Sequence, residues 1–221
     1  MKTKLLPLLT ALLVAGPSCA TSPPIAKRPA VPQVVLVHGF MENGDTYKMM
    51  KKQLEQKGFE CLVPKMKPID GRGGLDLVAR NLKGEIDAKF GTKEPISIVA
   101  FSMGGIASRQ YLQELGGAAR CRNFITISSP HHGTKAAWLY PTKGAEDMRP
   151  GSPFLANLEK TEGRLGKMPV ASYRTPMDLI ILPPSSSIWN RADNREFPVI
   201  MHPLMLNSRA VIDDVEKRLS R

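Results

Sequence analysis

The stretch Ile96 to Gly105, I-S-I-V-A-F-S-M-G-G, restricts the possible folds of this chain more than any other. It opens as a β-branched apolar run (Ile96, Ile98, Val99) suited to a strand buried on both faces. It closes in small residues, and a helix-capable segment, Ile106 to Leu115, follows. Ser102 stands between the two. A strand that turns directly into a helix holds the residue at the turn on a strained, exposed point. Small residues two positions to either side let the two backbones approach, and Ala100 and Gly104 occupy those positions. The pattern is A-x-S-x-G, one position away from G-x-S-x-G. It marks Ser102 as a candidate nucleophile; the competing role is a serine that only caps the helix.

The same kind of strand recurs. Val34-Val35-Leu36-Val37 is a continuous apolar run ending in His38-Gly39-Phe40. Asp45 or Thr46 is placed to cap a helix running to about Lys57, with Tyr47, Met50 and Leu54 on one face and Gly58 as its stop. Phe59 to Val63 reads as the next strand. The Gly-rich loop from Asp70 to Gly74 lacks the spacing of a phosphate loop. Leu75, Val78, Leu82, Ile86 and Phe90 keep helical spacing up to Gly91. Asn123 to Ile127 is a strand that ends in S-S-P-H-H-G-T, and Lys135 to Gly151 reads as irregular. Ser152-Pro153 starts a helix that reaches Leu158. Ala171 to Thr175 is a strand, with Asp178 to Leu182 at its end. Glu196 to Met201 is a last short strand, and Ser208 to Leu219 a terminal helix with Val211, Val215 and Leu219 on one side. Six strands alternating with helices predict an α/β chain with a mostly parallel sheet covered on both faces. In such sheets functional residues gather at the carboxyl ends of the strands. Ser102, Phe40, the His131-His132 loop, Asp178 and His202 all fall there.

A serine hydroxyl needs a base to take its proton and a group to orient that base. The chain has four histidines. His38 precedes a turn glycine and reads as loop-fixing. His131 and His132 share one loop and read as packing or supporting residues. His202 follows a strand, and it is the only histidine after Asp178. The order Ser, Asp, His marks one class of hydrolase. Asp178 precedes Leu179-Ile180-Ile181-Leu182, and an acid in so apolar a run needs a partner.

The remaining sequence bears on location and partners. Lys2 and Lys4, the apolar stretch Leu5 to Ala15 and Ser18-Cys19-Ala20 predict a signal peptide over 1–20, and hence export. Lipidation of Cys19 is the alternative. Residues 21–32 are Pro-rich and read as a linker, which leaves 33–221 as one catalytic domain. Net charge is +11, or +9 without Lys2 and Lys4, which favours encounter with anionic surfaces such as a membrane or a polyanion; the plainer reading is a solvated basic surface. No nucleic-acid motif is visible, and a monomer is expected.

Taken together, V-V-L-V-H-G-F at 34–40, A-F-S-M-G-G at 100–105, S-P-H-H-G-T at 129–134, M-R-P-G-S at 148–152, D-L-I-I-L-P-P-S at 178–185 and H-P-L-M-L-N-S from His202 resemble the small bacterial lipases and esterases. The resemblance runs from about Val34 to Leu219. It implies the α/β-hydrolase fold, with a six-stranded sheet and a minimal lid or none. By motif, Ser102 is then the nucleophile, Asp178 the orienting acid and His202 the base. The backbone N–H groups of Phe40 and Met103 form an oxyanion hole. Phe101 stands where these lipases often have His. No metal and no cofactor are expected. The implied activity is hydrolysis of acyl esters through an acyl-enzyme. A thioesterase, an amidase, an acyltransferase and a non-catalytic binding module remain alternatives. Phe40, Met41, Trp138 and Leu139 are the candidate substrate-binding residues, with the 135–151 loop as one wall of the acyl pocket. The strand order of this fold sets the strands of Val34 and Ile96 between those of Cys61 and Cys121. At about 4.8 Å per strand the two thiols lie roughly 14 Å apart, out of disulfide reach.

Overall fold

The computed structural model describes residues 31–221. The expected signal peptide and all but the last two residues of the expected linker lie outside the described residues. The apolar runs form the centre of one sheet: β1 (Gln33–Val37), β3 (Ile96–Phe101) and β4 (Cys121–Ile127), flanked by β2 (Glu60–Leu62), β5 (Val170–Arg174) and β6 (Asp193–Glu196). The order is β2-β1-β3-β4-β5-β6, and every neighbouring pair is parallel. All six residues of β3 are buried, because helices cover both of its faces.

Alternation along each strand divides the core into two layers. Val35, Val37, Ile98 and Ala100 point to the side of α2 (Leu75–Phe90) and α3 (Met103–Glu114), meeting Leu82, Ile86 and Ile106. Val34, Leu36, Val99 and Phe101 point to the side of α1 (Lys48–Gln56) and α6 (Arg209–Leu219), meeting Met50, Leu54, Val211 and Val215. Cys61 and Cys121 are buried free thiols on strands separated by β1 and β3, and burial pushes both up to about 12.

Three local expectations need correction. Neither Asp45 nor Thr46 caps α1; a short 3-10 turn at Asp45–Tyr47 leads in from Gly44, with Asn43 Oδ1 accepting the Asp45 N–H at 3.1 Å. The 135–151 segment is not irregular throughout. The Thr134 hydroxyl caps a 3-10 turn over Lys135–Leu139, and the Thr142 hydroxyl caps α4 (Lys143–Asp147). Asp147 in turn accepts the Leu75 N–H at 2.8 Å, closing the start of α2. The last strand is not Glu196–Met201 but β6, D-N-R-E, exposed throughout. It is an edge strand, formed by pairing with β5 and by ion pairs of Arg195 with Asp214 and of Asp193 with Arg218. No apolar run announces such a strand. The helix start at Ser152 is as expected: its hydroxyl accepts the Leu155 N–H at 3.2 Å, and α5 spans Pro153–Lys160.

Candidate active site

Ser102 sits between β3 and α3 with φ 53° and ψ −127°. For a residue with a Cβ this conformation costs on the order of 1–3 kcal/mol, and it persists only where the surroundings enforce it. Here the Ser102 N–H donates to the Ile127 carbonyl at 2.9 Å, and its own carbonyl accepts the Gly105 N–H at 3.0 Å. A methyl group on Gly104 would lie 2.6 Å from the Val37 carbonyl oxygen and 2.5 Å from that of His38, so no larger residue fits where α3 leaves the strand. The Ser102 hydroxyl caps nothing in α3, which removes the capping role as the reason for a serine here.

Asp178 and His202 meet at the same end of the sheet, and both are buried. His202 opens a 3-10 turn, His202–Asn207, rather than directly following a strand. Its Nδ1 lies 2.8 Å from Asp178 Oδ2. An ionised carboxylate only accepts, so Nδ1 carries the proton and Nε2 is the basic nitrogen. Asp178 Oδ1 accepts the N–H groups of Ile180 and Ile181, each at 2.9 Å. Burial pulls the Asp178 carboxyl upward, but the His202 hydrogen bond and charge and these two amides hold it below its ordinary value. The Phe101 ring packs against the imidazole with centroids 4.6 Å apart.

Ser102 and His202 line one cleft of about 520 Å³, together with Phe40, Met41, Leu139 and Ile180. A second recess of about 50 Å³ opens from Ser102 between Phe40, Pro130 and Ala137. Phe40 packs edge-on against Tyr140, with centroids 5.0 Å apart. The backbone N–H groups of Phe40 and Met103 donate to no other group among the described residues. Trp138 is the one expected wall residue that does not line the cleft; its ring lies 4.3 Å from the Arg149 guanidinium.

The other histidines do not reach the cleft. His131 is buried against Trp189, accepts or donates at Thr126 Oγ1 (3.0 Å) and lies beside Arg109; burial first, then Arg109, push its imidazole well below the ordinary value. Exposed His132 contacts the Ile188 carbonyl at 3.0 Å. Buried His38 contacts the Gly39 carbonyl at 3.1 Å, in keeping with a loop-fixing place. Sequence reasoning passed over Leu179, Ile180, Pro203 and Glu42, all of which line the cleft. The signal for Glu42 is its place two residues after Phe40, in the loop that leaves β1 at Val37.

Residues 30–148 match the family model described as "Putative serine esterase (DUF676)". No curated protein matches the chain in sequence. Among solved structures, the mature Bacillus licheniformis lipase BlEst2 is similar at 17% identity with a TM-score of 0.68, over 87% of this chain and 93% of that one. Aspergillus fumigatus lipase B is similar at 17% identity with a TM-score of 0.75, over 86% of this chain and 52% of that one. Paleococcus ferrophilus monoacylglycerol lipase is similar at 16% identity with a TM-score of 0.63, over 85% and 93%. At these identities the likeness shows the fold, an α/β-hydrolase.

Proposed function

We infer the mechanism from a plain premise: the chain belongs to the serine esterase family whose model it matches, and it is a carboxylic ester hydrolase. Ser102 Oγ attacks the ester carbonyl while His202 Nε2 takes the hydroxyl proton. Negative charge passes to the carbonyl oxygen, which the Phe40 and Met103 N–H groups receive; each such donor lowers the barrier by about 3 kcal/mol. Asp178 keeps the imidazole in the tautomer this step needs and balances its positive charge. His202 then hands the proton to the departing alcohol, leaving an acyl-Ser102 ester. A water, deprotonated by the same nitrogen, attacks the acyl carbon and frees the acid and Ser102.

The observation that carries this reading is the Asp178–His202 hydrogen bond at the mouth of a cleft that also holds Ser102 on its strained turn. The cleft and the recess meet at Ser102, giving room for the two sides of an ester. The rim favours an apolar substrate. Leu139 is 80% exposed, Leu179 76% and Met41 60%, so three large apolar side chains stand in water around the cleft. The net charge of the chain, +11, or +9 without Lys2 and Lys4, adds attraction to an anionic lipid surface at which such esters are presented. The chain is tested with p-nitrophenyl esters of increasing acyl length. The parent should cleave them and folded Ser102→Ala should not. More than a trace of activity in that variant would remove Ser102 from the mechanism.

A further inference from the structure

The cleft contains a half-buried carboxylate that the hydrolytic steps leave unused. Glu42 Oε2 accepts the Gly39 N–H at 2.8 Å. A methyl group placed on Gly39 would lie 3.0 Å from Ser102 Cβ and 3.1 Å from Glu42 Oε2. The carboxylate oxygen and the Ser102 side chain therefore flank the same point, at most two van der Waals contacts apart. Gly39 is joined by one peptide bond to Phe40, whose N–H donates to no group among the described residues. The Glu42 carboxyl therefore borders the space beside Ser102 in the cleft.

The groups that face Glu42 do not neutralise it in place. His38 and His202 act on it, as does the buried Tyr47 hydroxyl from the turn before α1. Lys135, the other charged side chain lining the cleft, is exposed, so water screens it more than it screens Glu42. Glu42 has no ion pair among the described residues. Burial raises its carboxyl from the ordinary value, against the opposing pull of the Gly39 N–H, His38 and His202.

We propose that Glu42 is a specificity-determining residue, whose carboxylate beside Ser102 sets the charge a substrate can carry near the scissile ester. Neutral and cationic esters are admitted; anionic ones are turned away. The proposal rests on the hydrolase reading above and adds a consequence for turnover. Hydrolysis converts a neutral ester and water into an alcohol and an acid, and the acid gives its proton to solvent. The product therefore acquires the charge that Glu42 repels, and the carboxylate that admits the ester helps to clear the acid.

The test uses the whole protein and three p-nitrophenyl esters of similar length: the neutral butyrate, the anionic half-glutarate and the cationic 4-trimethylammoniobutyrate. Rates are corrected for spontaneous hydrolysis and measured at about pH 8, well above the usual carboxylate range. Glu42→Gln keeps an acceptor for the Gly39 N–H and removes the charge; Glu42→Asp keeps the charge. A unit charge on the ester held about 7 Å from the Glu42 carboxylate, at an effective dielectric of about 20 to 40, changes affinity on the order of tenfold. The cation-to-anion ratio of kcat/KM should fall at least tenfold in Glu42→Gln and stay on the parent's side in Glu42→Asp. Inhibition by free butyrate should strengthen about tenfold in Glu42→Gln alone. A folded Glu42→Gln that keeps the parent's ratio overturns the proposal. So does one that lowers all three rates in proportion, because Glu42 would then only position the loop. A parent that cleaves none of the three overturns the hydrolase reading and this inference with it.

Discussion

Asp178→Asn separates orientation from packing in the candidate triad, since the two side chains have nearly the same shape. Asp178 is 2% exposed and makes three acceptor bonds: Oδ2 to His202 Nδ1 at 2.8 Å, and Oδ1 to the Ile180 and Ile181 amides at 2.9 Å. Asparagine has one acceptor oxygen, and the two fixed amides claim it. Its NH2 group then faces His202 Nδ1, which can accept only without a proton. The proton moves to Nε2, the nitrogen that must receive one from Ser102. A base held in the wrong tautomer costs about 10⁴ in kcat, equivalent to about 5.5 kcal/mol of barrier. The assay is kcat on p-nitrophenyl butyrate for parent and variant, with circular dichroism to show that both are folded. A second reading comes from acid. The Asp178 carboxyl is held below its unfolded value. Its contribution to stability is therefore complete above about pH 4, the unfolded value, and is lost as pH falls through the folded one. The parent should lose stability on acidification more steeply than Asp178→Asn. If the folded variant keeps more than about a hundredth of the parent's kcat, well above the expected residue, Asp178 does not orient the base.

Two further outcomes follow from the packing. Gly104→Ala would press a methyl group against two backbone carbonyls that cannot move aside, and overpacking of this kind costs about 1–3 kcal/mol or more. Urea denaturation should show a lower midpoint, and an unchanged midpoint would mean that the close approach of α3 and β1 is absent. Leu139→Ala should change acyl-chain preference because Leu139 lines the cleft, whereas Trp138→Ala should not because its ring lies on Arg149. Chain-length profiles of the two folded single variants decide this, and superimposable profiles for parent and Leu139→Ala would place the acyl chain elsewhere.

Central and edge elements differed sharply in how far they could be read in advance. The strands β1 and β3 are buried on both faces, so their residues are mostly apolar, with Ser97 the buried polar exception, and the runs at Val34 and Ile96 show it. The edge strand β6 is D-N-R-E. Its stability comes from pairing and from charges on α6, a helix about twenty residues later, and no local pattern carries that information. The apolar residues that follow it, Phe197 and Val199, drew the expected strand forward. They pack on the core from a connecting segment instead. The helices within 135–151 were hidden by breakers, because threonine caps at 134 and 142 make short turns viable there.

The candidate site divides along the same line. Ser102 was legible because the strained turn imposes its own local demands: an apolar strand before it, small residues around it and a helix after it. Asp178 and His202 were legible as a pair through their order along the chain, their places at strand ends, the apolar run around Asp178 and the motifs that carry the resemblance. Phe40, Met41 and Leu139 were legible as cleft residues, whereas Glu42, Leu179, Ile180 and Pro203 were not, since residues as far apart as 42, 102, 139 and 180 meet only when the sheet is assembled. Periodicity and breakers determine which segments are strands and helices, because those are properties of neighbouring residues. Only the tertiary structure decides which side chains share a cleft and how far a charge such as that of Glu42 is withdrawn from water. Contact and desolvation are properties of residues distant in sequence, and no local signal encodes them.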